Sequence, residues 1–541
     1  MPAHPNPPES GGLAGSKLIL GFGFLLACAL LLPFYRYELT PDSITYLSIA
    51  KQYTTGYFNE AISNYWSPLY SWLIAALLAL HVPDILAAKL ICIGAGVFAL
   101  LALRELAELY PMSTASRLGM LGAGAVMLAA NVFEITGPDL LFAAVLLCYF
   151  QVILDLRFPA RPFAGLYCGL LGGIAYLAKG YGLFFFGAHF ALFCTLHWFT
   201  VQNREARLRI VRHFLSGLTV FALIVLAWMI PLHAKYGTWT TGSTGKFNYR
   251  LVGPESSGYP HLWELEAPSS EHAANAWQEP PASRLKDWNV FASAFTLRHE
   301  GKLIFRDSVT AVRYWVHAAP LLAALILVCW LLVKRKRDRR EWLFPLLTIA
   351  LFTSGYLMIT LEQRYLWLTG LLLLWMTFYG LDRCLQDRPA GHLRVAIVCL
   401  VALSFAVEPA RVLRSHFRQD RSLFEAAGQL RPLIRPGSRL ASCNDWAGSA
   451  YLAYRLDARY FGTPWPTAEA YEAARGLNPD YAGQPPATQN WPELNGKLEA
   501  AGIQYFLAWP GCTQPPAKSS ITAASGPQLL SVPVQREQVQ K

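Results

Sequence analysis

Four charged residues stand at the edges of apolar runs, where a charge is costly unless it is used. Asp42 lies in YELTPDSITYLSIAKQYTTGYFNEAISNYWSPLYSW, residues 37–72, directly after the first apolar run. Asp139 sits in ITGPDLLFAAVLL, Lys179 closes GLLGGIAYLAKG, and Arg364 lies in LEQRYLWLTG beside Glu362 and Tyr365. A positioned carboxylate can take a proton from a hydroxyl. Lysine or arginine can hold a phosphate oxygen. Tyr46 falls one helical turn from Asp42, and Trp66 belongs to an aromatic cluster around Pro68. Together these residues point to an enzyme working at a membrane surface.

Each also has a structural reading. Thr40 or Asp42 suits a helix N-cap. Pro138 and Asp139 suit a first helical turn, where an acid meets the helix dipole. Lys179 suits a helix C-terminus and can snorkel. Arg364 can form a salt bridge within a short turn. The structural readings are weakened by the pairing: two carboxylates expected on the same face, each opening a helix.

The elements that must carry these residues are membrane spans. The 541-residue chain is 54% hydrophobic and only 15% charged. Apolar runs recur at 17–35, 84–107, 117–135, 139–157, 163–179, 182–200, 213–233, 314–333, 341–361, 365–384 and 392–409. Runs of this kind are read as helices spanning a hydrocarbon core of about 30 Å. Basic loops set their direction. Arg204, Arg207, Arg209 and Arg212 share one loop and KRKRDRR at 334–340 another, so both are expected in the cytoplasm. The segment 68–81 is too short to cross. Read as a surface helix, it places Asp42, Asp139, Lys179 and Arg364 together outside the cell and Arg157 and Arg161 inside. The expectation is an α-helical polytopic membrane protein of about eleven spans, N-terminus in. Residues 1–16, rich in Pro and Gly, are expected to be disordered, and 17–34 is read as a retained anchor rather than a signal peptide. Exoplasmic loops cover 36–83 and 234–313, the latter carrying Trp239, Trp263, Trp277 and Trp288 and read as an ordered lid.

From residue 410 the chain turns polar. Strand-like segments at 439–443, 459–462 and 503–509 alternate with helix-like stretches at 449–456 and 493–501, which suggests a small soluble α/β domain over 410–541. Cys443 and Cys512 lie there and can pair if it is outside the cytosol. The other cysteines, Cys28, Cys92, Cys148, Cys168, Cys194, Cys329, Cys384 and Cys399, are read as small buried hydrophobes. His81, His189 and His197 lack ligand-like partners and are read as structural. The net charge of +11 is accounted for by the basic loops, and no interleaved basic–aromatic segment suggests nucleic acid.

In order, PDSITY, NYWSPLYSW, GPDLLFA, YLAKG and RYL followed by a polar domain resemble the GT-C glycosyltransferases, in the branch of the protein O-mannosyltransferases and the lipid A aminoarabinose transferase. The resemblance covers about residues 17–409. It implies transfer of a sugar from a polyprenyl-phosphate donor, undecaprenyl or dolichyl, to a hydroxyl on an envelope lipid, glycan or protein, with inversion, at the exoplasmic face of a plasma membrane, bacterial inner membrane in type. It implies Asp42 as base, Asp139 as second acidic residue, and Lys179, Arg364 and Tyr365 at the donor phosphate. Tyr46 and Trp66 are the candidates for substrate contact. A divalent cation, Mg or Mn, held by Asp42 and Asp139 is allowed but not required. Two residues depart from the pattern. Ser43 follows Asp42 where protein mannosyltransferases carry Glu, and Ser67 precedes Pro68 where the aminoarabinose transferase carries Lys. The competing reading is a transporter or flippase for a lipid-linked sugar, which would favour mid-span charges and internal repeats.

Overall fold

The computed structural model describes residues 10–319, 339–385, 391–483, 491–510, 512, 520–522 and 527–532. A bundle of long helices carries a small α/β layer on one end. The helices are α1 (Ser10–Tyr35), α2 (Pro41–Thr54), α3 (Phe58–Ala61), α4 (Pro68–Ala79), α5 (Asp84–Leu109), α6 (Thr114–Glu134), α7 (Asp139–Ile153), α8 (Ala164–Ala178), α9 (Tyr181–Thr200), α10 (Arg204–Tyr236), α11 (Thr244–Leu251), α12 (Ala294–Ala318), α13 (Arg339–Leu357), α14 (Trp367–Leu385) and α15 (His392–Ser415). Every expected span except 314–333, most of which lies outside the described residues, is occupied by a helix. Among the described residues, six helices (α1, α5, α6, α9, α10 and α15) are long and apolar enough to cross a membrane.

Contacts sort the bundle into two ends. At one end, Asp155 binds Arg157 at 3.1 Å and Arg161 at 2.8 Å, and Asp382 binds Arg394 at 2.7 Å. At the other end, Tyr35 donates to the Leu413 carbonyl at 2.9 Å, and the loops after α1, α6, α8 and α13 converge. Helix α4 has 12 residues, about 18 Å at 1.5 Å per residue, too short for a hydrocarbon core. It packs on α2, where Ser71 donates to the Tyr46 carbonyl at 2.9 Å. The residues on either side of it stay at one end.

Glycine sets the tightest packing. A Cβ on Gly165 or Gly169 of α8 would fall 2.1 Å from the carbonyl oxygen of His213 or Gly217 on α10. The backbones can approach only because both positions lack a side chain, as small residues allow between apolar helices.

Several expectations change. Helix α1 begins at Ser10, inside the tail expected to be disordered. Helix α7 stops at Ile153 rather than 157, because Asp155 turns back to its two arginines. The lid region is shorter than expected, since α12 starts at Ala294, capped by Ser293. Cys28, Cys92, Cys168 and Cys194 are buried, but Cys148 is half-buried and Cys384 and Cys399 are exposed. A thiol behaves as a small hydrophobe, so the outer face of an apolar bundle suits it as well as the core. Cys329 lies outside the described residues.

The polar C-terminal part adds α16 (Arg421–Leu430), α17 (Trp446–Arg455), α18 (Ala468–Leu477) and α19 (Trp491–Ala500) to a sheet of β1 (Arg439–Ser442), β2 (Arg459–Tyr460), β3 (Tyr505–Ala508), β4 (Ser520–Thr522) and β5 (Gln528–Ser531). The order is β2-β1-β3-β5-β4. Strands β2 and β3 run parallel to β1, and β5 is antiparallel to β3 and β4. Cys443 and Cys512 are disulfide-bonded. The layer is tied to the bundle by Tyr451, which donates to the Tyr37 carbonyl at 3.0 Å, and by Tyr454, which donates to Asp84 at 2.7 Å.

One buried pair fixes the loops that carry the acids. Lys89 of α5 donates to Glu38 at 2.8 Å, both fully buried. The same Glu38 oxygen accepts from the Thr136 amide at 3.0 Å and the Thr136 hydroxyl at 2.6 Å. The chain before Asp42 is thereby bound to the chain before Asp139. Removing one partner leaves the other charge buried and unpaired, which costs about 3–5 kcal/mol. Lys89→Met is expected to lower stability by that order, and the Glu38→Gln/Lys89→Met double variant to recover much of it; thermal melting of the purified protein in detergent checks both.

Candidate active site

Thr40 caps α2. Its hydroxyl accepts from the Ser43 amide, and the Ser43 hydroxyl accepts from the Thr40 amide at 3.1 Å. Ser43 also donates to the Thr136 carbonyl at 2.5 Å. Asp42 is therefore not the cap, and its carboxylate is free to face inward. One oxygen accepts from Arg364 Nη2 at 2.7 Å and the other from Trp277 Nε1 at 2.9 Å.

Asp139 opens α7 after Gly137 and Pro138 and is ion-paired with Lys179, which ends α8 in an extended conformation. Arg364 projects from the one-turn helix Gln363–Leu366. Its Nε lies 2.8 Å from Glu362 and 3.9 Å from Asp139. It makes the salt bridge of a short turn, and it also reaches across to two other acids. Tyr365 donates to Glu362 at 3.0 Å, and its ring lies 3.7 Å beneath the Lys179 ammonium, a cation–π contact. Tyr356 stacks on Tyr365 at 4.7 Å.

All seven residues singled out in the sequence line one cavity of about 680 Å³. Tyr46 and Trp66 pack edge to face at 5.0 Å on its wall. This is the volume range of a small-molecule site, apolar walls with a few convergent polar groups. The reach of the acids and cations into one space requires residues 322 positions apart, Asp42 and Arg364, to meet.

Other residues of the site were not readable as such. Tyr181, Tyr259 and Lys246 also line the cavity. Nothing in their local sequence separates them from ordinary interfacial residues. Trp277 was one tryptophan among four in the long loop, and only the fold shows it on Asp42. Lys89 is a lysine deep in an apolar span, a costly position that itself points to a buried partner.

Trp277 is held from behind. Trp66 Nε1 donates to its carbonyl at 3.1 Å. His261 lies between Trp277, 4.7 Å away, and Trp446 of α17, 4.6 Å away. Burial pushes the His261 imidazole down to about 3, so it is neutral here and packs as an apolar ring. The loop is also bonded to the C-terminal layer, with the Tyr460 amide donating to the Ala274 carbonyl at 2.9 Å and the Glu266 amide to Phe461 at 2.7 Å.

The two acids are a poor fit for a divalent cation. Each carboxylate already faces a basic side chain, Arg364 on Asp42 and Lys179 on Asp139, so a metal there would have to displace both contacts. Among the described residues, no group of three or more His, Cys, Asp or Glu converges on a metal position.

The architecture matches solved structures. ArnT from Cupriavidus metallidurans bound to undecaprenyl phosphate aligns with a TM-score of 0.58 at 13% identity, over 97% of this chain and 99% of that one. Its apo form aligns equally well, over 96% and 98%. The Archaeoglobus fulgidus oligosaccharyltransferase, solved in complex with Zn and sulfate, aligns with a TM-score of 0.51 at 11% identity, over 90% of this chain and 67% of that one. The fold is GT-C. No protein-family model and no curated protein sequence matches the chain, so the likeness lies in the architecture. Within this GT-C fold, the cavity opens among the loops at the end of the bundle that carries the α/β layer.

Trp446→Ala removes the C-terminal ring that backs His261 and Trp277. Loops with fewer packed contacts open more often. Limited proteolysis is therefore expected to cut within residues 252–293 several-fold faster in the variant, with helix content by circular dichroism unchanged.

Proposed function

We propose that the protein is an inverting membrane glycosyltransferase that takes a sugar from a polyprenyl-phosphate donor and places it on a hydroxyl of an envelope lipid, glycan or protein. The observation that carries this reading is the juxtaposition, in one cavity, of an acid at the head of α2 with the Lys179–Arg364–Tyr365 cluster. The likeness to a GT-C structure bound to undecaprenyl phosphate supports the same donor class. The basic loops at 204–212 and 334–340 support a cytoplasmic N-terminus and a site on the exoplasmic face.

The chemistry follows from the charges. An acceptor alcohol is a weak nucleophile until a base takes its proton as the new bond forms. Asp42 is that base. Its oxygen accepts the proton, the acceptor oxygen bonds the anomeric carbon from the side opposite the phosphate, and the bond from that carbon to the phosphate oxygen breaks. The electron pair leaves with polyprenyl phosphate. Lys179 and Arg364 stabilise the developing anion in a site poor in water. Asp139 holds Lys179 in place and orients it.

Arg364 has to serve two anions. While it pairs with Asp42, the guanidinium occupies that carboxylate. A donor phosphate competes for the same guanidinium. Donor binding thereby releases Asp42 towards the acceptor and makes the base available only when there is a leaving group to expel.

The test uses cells lacking the protein, complemented at matched expression. Wild type should restore one sugar to an envelope glycan or lipid and clear its accumulated polyprenyl-phosphate carrier, read by mass spectrometry. Asp42→Asn should lose about 10²–10⁴ in rate, and Lys179→Ala or Arg364→Ala about 10²–10³. Full complementation by Asp42→Asn would overturn the reading.

A further inference from the structure

An apolar groove lies on the outer face of the bundle, away from the cavity. Gly23, Ala27 and Leu31 on α1, Ala125 and Ala129 on α6, and Leu413 on α15 border a groove of about 450 Å³ lined by apolar residues. Residues 19–31 of α1 run along it, about 18 Å of helix at 1.5 Å per residue, roughly parallel to where lipid chains lie. Small residues, Gly23, Ala27, Ala125 and Ala129, leave part of its wall open: a Cβ on Gly23 would meet nothing within 4 Å.

The groove ends at a cluster of cations. Leu413 lies between Arg411 and Arg414, and its carbonyl receives the Tyr35 hydroxyl. The Arg418 amide donates to the Phe34 carbonyl at 3.0 Å, which brings the turn after α15 onto the end of α1 beside Arg36. Arg411 pairs with Glu408 at 3.1 Å and Arg421 with Glu425 at 2.8 Å. Asp420 is engaged with the Leu39 amide at 3.2 Å. Arg36, Arg414 and Arg418 are exposed. Arg36 reaches the Tyr37 hydroxyl at 3.0 Å, and Arg418 lies over the Phe417 ring. Among the described residues none of the three has a carboxylate partner. Phe34 and Phe417, both exposed, stack at 5.5 Å between groove and arginines, where aromatic rings favour the headgroup level of a bilayer.

A chain-shaped apolar groove capped by unpaired arginines is complementary to one kind of molecule, an amphiphile with an acyl chain and a phosphate. We propose that this face holds a phosphate-bearing anionic lipid of the bilayer, its chain in the α1–α6 groove and its headgroup on Arg36, Arg414 and Arg418. The site would pin α1 to the turn that leads from the last span into the C-terminal layer. It needs neither Asp42 nor the donor, so it stands apart from the proposed transfer reaction.

The probe is phosphatidylglycerol. Full-length protein reconstituted in phosphatidylcholine vesicles, with and without added phosphatidylglycerol, is extracted gently for native mass spectrometry and melted in parallel. One phosphatidylglycerol should be retained per chain and should raise the melting temperature. Arg36→Gln/Arg414→Gln/Arg418→Gln and, separately, Gly23→Leu, which adds bulk where a Cβ meets no neighbour within 4 Å, should each cut retention several-fold and abolish the shift. Equal retention by wild type and both variants would overturn the proposal. So would loss in the arginine variant alone, or an equal shift from inorganic phosphate, either of which describes an anion site without a lipid chain. Melting in plain phosphatidylcholine confirms that both variants fold.

Discussion

The site depends on Arg364. One guanidinium, carried on a single helical turn between α13 and α14, reaches Asp42, Asp139 and Glu362. Without it, three carboxylates would face one another at the edge of a low-dielectric bundle, an arrangement that repulsion and desolvation together oppose. Arginine suits the position because its planar fork presents several donors and stays charged when buried. A lysine there would offer a single point charge to acids that approach from different elements. The loops after α1, α6 and α13 can close on one another because this residue balances them.

The second constraint comes from the opposite direction. The long loop between α10 and α12 folds over the cavity, and its Trp277 reaches Asp42 with an N–H bond. That loop is backed by the C-terminal layer through His261 and Trp446 and through backbone bonds to Tyr460 and Phe461. The proposed reaction requires the site to admit a bulky lipid-linked sugar and then exclude water. Here the lid is held both by the C-terminal layer and by the bundle, where Glu279 pairs with Lys235 of α10 at 2.5 Å and Gln278 accepts from Ser48 of α2 at 2.9 Å. Among the described residues, the C-terminal part therefore bears on the geometry of Asp42 without contributing a charged group to the cavity.

The placement of the charged groups was legible in the sequence because cost makes charges at apolar edges informative. Asp42, Asp139, Lys179 and Arg364 each stood at a span terminus, and the basic loops placed them at one end. The short apolar helix α4 was the hinge of that reading: counted as a span, it would have split the acids between the two ends. What was not legible depends on contacts distant in sequence. The cap falls on Thr40 because Ser43 completes the box and is held by Thr136, and nothing local chooses Thr40 over Asp42. Trp277 looks like any interfacial tryptophan until the lid folds. The metal expectation for Asp42 and Asp139 rested on the two acids alone and did not anticipate that each would already hold a cation. The start of α12 inside the expected loop was missed because its polar first turns carry no span-like hydropathy, only a Ser293 cap and an amphipathic face.

The central claim is that Asp42 and the donor phosphate compete for Arg364. It can be measured without knowing the sugar or the acceptor, by titrating purified wild type, Asp42→Asn and Arg364→Ala with undecaprenyl phosphate. Competition predicts that Asp42→Asn binds the lipid phosphate more tightly than wild type, by about tenfold if release of the pair is worth 1.4 kcal/mol, while Arg364→Ala binds it more weakly. Unchanged or weaker binding by a folded Asp42→Asn would show that Arg364 is not shared between the two anions, and would contradict the account.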